Sequence, residues 1–218
     1  MKQCLAYGVM LILAACGGGG DSGSSSQLQS VRTPAEPFSI TPTNLIGVDA
    51  YHMTYSQTPN SGMSSFDGQS AHTSTTSATV FNGNATVLAQ SSTDYFLQSP
   101  YMPLGAEGTT AAEAYELVFD SVTPLPAVLT VGATGPLASG TYYLPGTNTA
   151  IGTLSVSYAV AGYNSTLVKL SIATTGMLNG AAIAQTVSYT VDASGLVHLN
   201  AFQVTLAGSN LFFGLPAP

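Results

Sequence analysis

One serine between glycines, three histidines and one loose group of carboxylates are the residues of this 218-residue chain whose types suit chemistry. Gly20-Asp21-Ser22-Gly23 offers a serine in a tight, glycine-flanked turn. A serine nucleophile needs a base within hydrogen-bond reach and rigid donors for the oxyanion. Only an apolar leader precedes Ser22, and residues 17–26 contain Gly, Ser and a single Asp. Such a stretch is a flexible linker and holds no catalytic geometry. The three histidines, His52, His72 and His198, show neither His-x-x-x-His spacing nor a nearby Cys-x-x-Cys. They read as exposed or hydrogen-bonded residues of separate strands or loops. Glu113, Glu116 and Asp120 are the closest acidic set, and on a strand Glu116 and Asp120 would share a face. A calcium site or a hydrolase pair needs further carboxylates from elsewhere, so these read as a solvated edge. There is no Gly-x-Ser-x-Gly, no Ser-x-x-Lys and no phosphate-cradling glycine loop. The sequence therefore predicts a non-enzymatic protein with no cofactor and no metal. Asn84-Ala85-Thr86 and Asn164-Ser165-Thr166 read as turn residues that begin strands.

The two cysteines, Cys4 and Cys16, lie at the N-terminus. Lys2 supplies a positive start, and residues 5–15 are apolar apart from Gly8. That run is too short to span a bilayer, which takes roughly 20 apolar residues, and it suits a signal peptide. It ends in Leu13-Ala14-Ala15-Cys16, which resembles the lipobox of bacterial lipoproteins. The resemblance implies cleavage before Cys16, with Leu13, Ala14 and Ala15 as the peptidase recognition residues. It further implies acylation of Cys16, palmitate included, and several acyl chains on one residue suffice for stable anchoring. Gly17 stands where an Asp would favour inner-membrane retention, so the resemblance points to the outer membrane.

Charge supports that tether as the membrane contact. Charged residues make up 6% of the chain, against about 25% in an ordinary domain. The net charge is −7, and beyond the leader the basic side chains are Arg32 and Lys169. A chain this acidic is a poor ligand for nucleic acid, and it lacks a polybasic surface for anionic lipid. With Cys4 removed and Cys16 acylated, no disulfide holds the fold, so the core must.

The elements that position everything else are strands. Residues 16–44 read as a lipidated tether, Gly/Ser-rich at first and then stiffened by Pro34, Pro37 and Pro42. A single domain is expected over 45–218. "TLSVSYAV" puts Leu154, Val156, Tyr158 and Val160 on one face. "LVKLSIA" and "TVSYTV" alternate in the same way, the mark of half-buried antiparallel strands. In "LVHLNAFQVTLAG" the alternation changes phase, which predicts a bulge near Asn200. Asn82-Gly83, Asn179-Gly180 and the turn from Asp192 to Gly195 punctuate the strands. Weaker strands are expected at 46–56, 77–81, 84–90, 94–98, 113–120, 127–131 and 140–144. Residues 56–77, rich in Ser, Thr and Gly, are expected as a long loop. A second loop, "LQSPYMPLGAEGTT", offers Tyr101, Met102 and Leu104 as a contact patch or as a plug for a barrel end.

The expected fold is all-β: an antiparallel meander of about ten strands, forming a small β-barrel or a two-sheet β-sandwich. The strands carry almost no charge to protect an open edge, and closure removes edges, which favours the barrel. A transmembrane barrel would show the same alternation, but several strands are too short to span a bilayer. "VFNGNATVLAQ" and "GTLSVSYAV", hung from a tether, resemble the barrel hairpins of transferrin-binding-protein-like surface lipoproteins. The function expected is that of a lipid-anchored envelope binding module, for a small molecule or a protein. The alternative is a structural protein that pairs through exposed strand edges.

Overall fold

A computed structural model describes residues 27–215, apart from 36, 99–100, 111–112 and 207–208. Every regular element in it is a strand. In chain order they are β1 (Ser30–Arg32), β2 (Ile40–Ile46), β3 (Tyr51–Pro59), β4 (Ser64–Phe66) and β5 (Gln69–Asn82). Then come β6 (Ala85–Gln98), β7 (Tyr101–Thr109), β8 (Ala114–Val122), β9 (Val128–Thr130) and β10 (Thr134–Tyr143). The last five are β11 (Ala150–Gly162), β12 (Leu167–Leu178), β13 (Ala181–Asp192), β14 (Val197–Leu206) and β15 (Ser209–Gly214). The leader, the lipobox residues Leu13, Ala14, Ala15 and Cys16, and the Gly20–Gly23 motif lie outside the described residues.

Twelve of these strands form a closed antiparallel barrel in up-and-down order. Each strand from β5 to β8 and from β10 to β15 pairs with its neighbour in sequence. The pairing of β3 with β5, and of β15 with β2, completes the ring. The sandwich alternative is thereby excluded. Closure answers the edge problem of strands that have no charges to guard them. The strand number exceeds the expected ten because two segments without apolar alternation are also strands. Residues 56–77, expected as a loop, are the end of β3, the short β4 and the first half of β5. Their inward side chains, Gln57, Ser74 and Thr76, are buried and polar, so apolar periodicity could not mark them. The expected strand at 46–56 is split by a turn in which Asp49 has φ 55°. Most of "LQSPYMPLGAEGTT" is strand β7.

The fold also reaches upstream of Leu45. Val31, Phe38 and Ile40, placed in the tether by sequence, are buried in the core, and Pro34 is buried beside them. β1 pairs with β9 as a separate two-stranded sheet. A twelve-stranded ring is wider than the eight-stranded barrels that side chains alone can fill. Here large rings occupy the interior: Tyr55, Tyr142, Tyr189 and Phe213 are fully buried. Phe38 adds its ring edge-on to Tyr189 at 5.2 Å.

Inward rows are apolar along β11, where Leu154, Val156 and Val160 are buried, while Thr153, Ser155 and Ser157 face out and are exposed. A lipid-facing barrel has the reverse arrangement. The phase change in β14 is a bulge: Ser188 pairs with Ala201 and Tyr189 with Leu199, leaving Asn200 as the extra residue. The Asn179-Gly180 turn has φ 48° and 77°, the left-handed pair that a tight hairpin requires.

Where β11 and β12 cross closely, Gly152 and Gly176 leave no room for a side chain. A Cβ on Gly152 would lie 2.0 Å from the Met177 carbonyl oxygen, and one on Gly176 would lie 2.2 Å from that of Thr153. Gly152→Ala is therefore expected to push the strands apart and to destabilise the protein by ~1–3 kcal/mol, as overpacking does. Urea unfolding of the variant measures this; an unchanged midpoint would show that the strands yield freely.

Candidate functional site

One end of the barrel collects the start of β2, the end of β3, the β6–β7 corner, the end of β8 and the start of β10. Over this end lie residues 27–35 and 37–39 and the β8–β10 connection. Backbone hydrogen bonds tie them down: Thr33 N–H donates to the Ala127 carbonyl at 3.2 Å, and Val131 N–H to the Gln29 carbonyl at 2.8 Å. Leu28 N–H also donates to the Asn164 carbonyl in the β11–β12 turn, at 2.8 Å. Val31 and Leu129, from the two small strands, point into the core and anchor this lid.

Between the lid and the β5–β8 wall is a cavity of about 300 Å³. Its walls are apolar, with Phe38 and Leu125 from the lid and Tyr101, Phe119 and Leu137 from the barrel. Its floor is polar: Gln57, Ser74 and Asp94. Register explains the convergence. Ser74 stands opposite Asp94 on adjacent strands, and Gln57 opposite Thr76, so their side chains share the inner face. Across from Asp94 on β7 is Ala106, which is fully buried.

Asp94 is held in a fan of hydroxyls. Thr76 donates to one carboxylate oxygen at 2.7 Å and Ser92 to the other at 3.0 Å. Burial pushes its pKa up from 3.8 to about 6, opposed by the hydroxyls of Thr76, Ser92 and Ser74. No cation contributes to that balance. The group is deep in the protein yet half-buried by area, because one side of it faces the cavity. Two phenols look toward it, Tyr55 and Tyr115, and burial keeps both neutral by raising their pKa values. Gln57 is 6% exposed, and its side-chain oxygen has no hydrogen-bond partner. A buried acceptor without a donor is costly, by about 1–3 kcal/mol, and such groups call for a specific explanation.

The loop residues singled out from sequence are divided between two places. Tyr101 lines the cavity, and Met102 is 38% exposed. Leu104 packs on the outer wall, against a cluster of Phe66, Ala71 and Tyr95. In that cluster the Phe66 and Tyr95 rings stack at 4.4 Å, and the Tyr95 hydroxyl donates to Glu107 at 2.8 Å. Burial first, then Glu107, pushes the Tyr95 phenol up to about 12. The histidines stay apart: His52 stacks on Phe81 at 4.7 Å and His72 on Phe96 at 5.9 Å, while His198 is exposed on β14. Asp120 accepts from Thr141 at 3.0 Å, and Glu113 accepts from the Asn179 amide. Among the described residues no group of three or more His, Cys, Asp or Glu is placed to hold a metal. The Asn164 side chain caps its turn, accepting from the Thr166 and Leu167 N–H groups at 2.9 Å each.

Sequence reasoning missed Asp94, Gln57 and Ser74. A signal was present: "QSSTDYF" buries one carboxylate in a strand of small hydroxyl residues, a poor choice for either an apolar core or an open surface. Compared with protein-family models, curated proteins and solved structures, the chain matches none.

Proposed function

We propose that this protein is a binding module that holds a small amphipathic molecule in the lidded end of its barrel. We further propose that Cys16 anchors it through lipid to the outer membrane, as the Leu13-Ala14-Ala15-Cys16 sequence suggests. The observation that carries the binding reading is the pairing of apolar walls with a buried polar floor at Asp94 and Gln57. Ligand sites have this composition, apolar surface for affinity and a few polar groups for orientation. The hydroxyl fan around Asp94 fixes the carboxylate in one orientation, as a binding group requires.

The test is a screen of small amphipathic compounds by NMR on the full-length chain. Hits are expected to perturb Tyr101 and Phe119 and to be lost in Val122→Trp, which adds bulk at the half-buried rim. Binding that survives Val122→Trp, or no binding by any compound, would overturn the reading.

A second reading, pairing with another chain, rests on a different observation. The described residues join β15 to β2 at one register pair, Gly214 with Ile46. Ile46 and Phe212 beside that seam are 54% and 55% exposed. A dimer in solution, broken by Phe212→Ser, would favour it.

A further inference from the structure

Resting on the binding reading above, we infer that the cavity's ligand is a small organic ammonium ion whose N–H groups donate to Asp94 and Gln57 while its apolar body lies among Phe38, Tyr101 and Phe119.

Two features of the floor select the head group. Asp94 accepts two hydroxyl hydrogen bonds and has no cationic partner among the described residues, so dipoles stabilise its charge. The Gln57 oxygen is a buried acceptor with no donor, and it lies on the same floor. The Asp94 carboxylate and the Gln57 oxygen are both acceptors, and a group with several N–H donors and a positive charge satisfies both; the Ser74 hydroxyl beside them, also without a partner, can accept a further N–H. Hydrogen bonds between charged partners are shorter and about twice as strong as neutral ones. A carboxylate or phosphate ligand would meet Asp94 as a like charge, inside a chain whose net charge is already −7.

The walls exclude a bare metal ion and select an organic cation. Calcium takes about 6–8 oxygen ligands, and magnesium keeps several waters, whereas the walls here are hydrocarbon and aromatic. Phe38, Tyr101 and Phe119 line the cavity and suit an apolar body. The volume, about 300 Å³, is at the small end of ligand pockets, so the body is a short chain or a single ring. Asp94 itself lines the cavity, so its carboxylate is open to a ligand there.

The experiment compares three near-isosteric probes on the full-length chain by calorimetry or NMR titration: 2-phenylethylammonium, 2-phenylethanol and phenylacetate. The ammonium ion is expected to bind ~tenfold or more tightly than the alcohol, and phenylacetate more weakly than either. In Asp94→Asn the ammonium preference is expected to fall to about that of the alcohol, with alcohol binding retained. Gln57→Met is expected to weaken the ammonium ion by a smaller factor and to leave phenylacetate weakest. Alcohol binding equal to ammonium binding, or an ammonium preference that survives Asp94→Asn, would overturn the inference while leaving the cavity as a binding site. Binding of none of the three would overturn the cavity reading itself.

Discussion

Asp94→Asn is expected to stabilise the ligand-free protein at neutral pH, by up to ~3 kcal/mol. The reason is the cost of keeping a carboxylate charged where water is scarce. Folding raises its pKa from 3.8 to about 6, so between those values the native state holds a proton that the unfolded chain has released. Stability therefore falls as pH rises through this window and levels off above about 6. Water entering the cavity reduces the full figure, because one side of the group is open to that space. Asparagine keeps the acceptor for Thr76 or Ser92 and removes the charge. Denaturant unfolding at about pH 4.5 and at neutral pH is the measurement. The parent should be more stable at the lower pH, and the variant should show little of that slope. The window stays clear of Asp192, whose pKa is lowered mainly by the Ser194 hydroxyl and whose contribution is lost only as pH falls below 3.8. A parent protein that gains stability from pH 4.5 to neutrality would show that Asp94 is well solvated. The cost of the charge makes sense if a ligand offsets it: a cation bound only by the native state adds stability in proportion to the logarithm of its concentration over Kd. Binding sites commonly carry such local instability.

Phe38→Ala is expected to destabilise the protein by ~3–5 kcal/mol, the range for removing a buried aromatic side chain. Phe38 is 4% exposed, meets Tyr189 edge-on at 5.2 Å and lines the cavity. It lies in a stretch whose prolines and polar residues read as tether. A true tether residue would change stability by ~0.5 kcal/mol or less. Urea unfolding of the variant separates the two cases. The same change opens the lid, so ligand binding should weaken even under conditions where the variant is folded.

The barrel was legible wherever one face of a strand is apolar. β11, β12 and β13 could be read residue by residue, and the Asn200 bulge showed as a change of phase. The hairpin turns were legible for a backbone reason: Asn179-Gly180 adopts the left-handed conformation that few other pairs tolerate. Legibility failed in the first half of β5 and in β7. There the inward residues are Ser74, Thr76 and Ala106, small or polar, and a periodicity of hydrophobicity has nothing to register. The failure and the site coincide. Ser74 lines the cavity beside Asp94, and Thr76 holds that carboxylate, so a polar row serves the site where an apolar row would otherwise run.

By itself, then, the sequence determined an all-β chain of nearly chargeless alternating strands, favoured a barrel over a sandwich, and marked Leu13-Ala14-Ala15-Cys16 as the segment that resembles a lipid attachment signal. Alternation and turn chemistry are local, so they can be read without knowing the partners of each strand. Only the tertiary structure decided that twelve strands make the ring, that Leu28, Val31, Phe38 and Ile40 pack over one end of it, and that Gln57, Ser74 and Asp94 share one floor. Those facts depend on register between strands distant in sequence. A shift of one residue would turn Asp94 outward to solvent and remove the site.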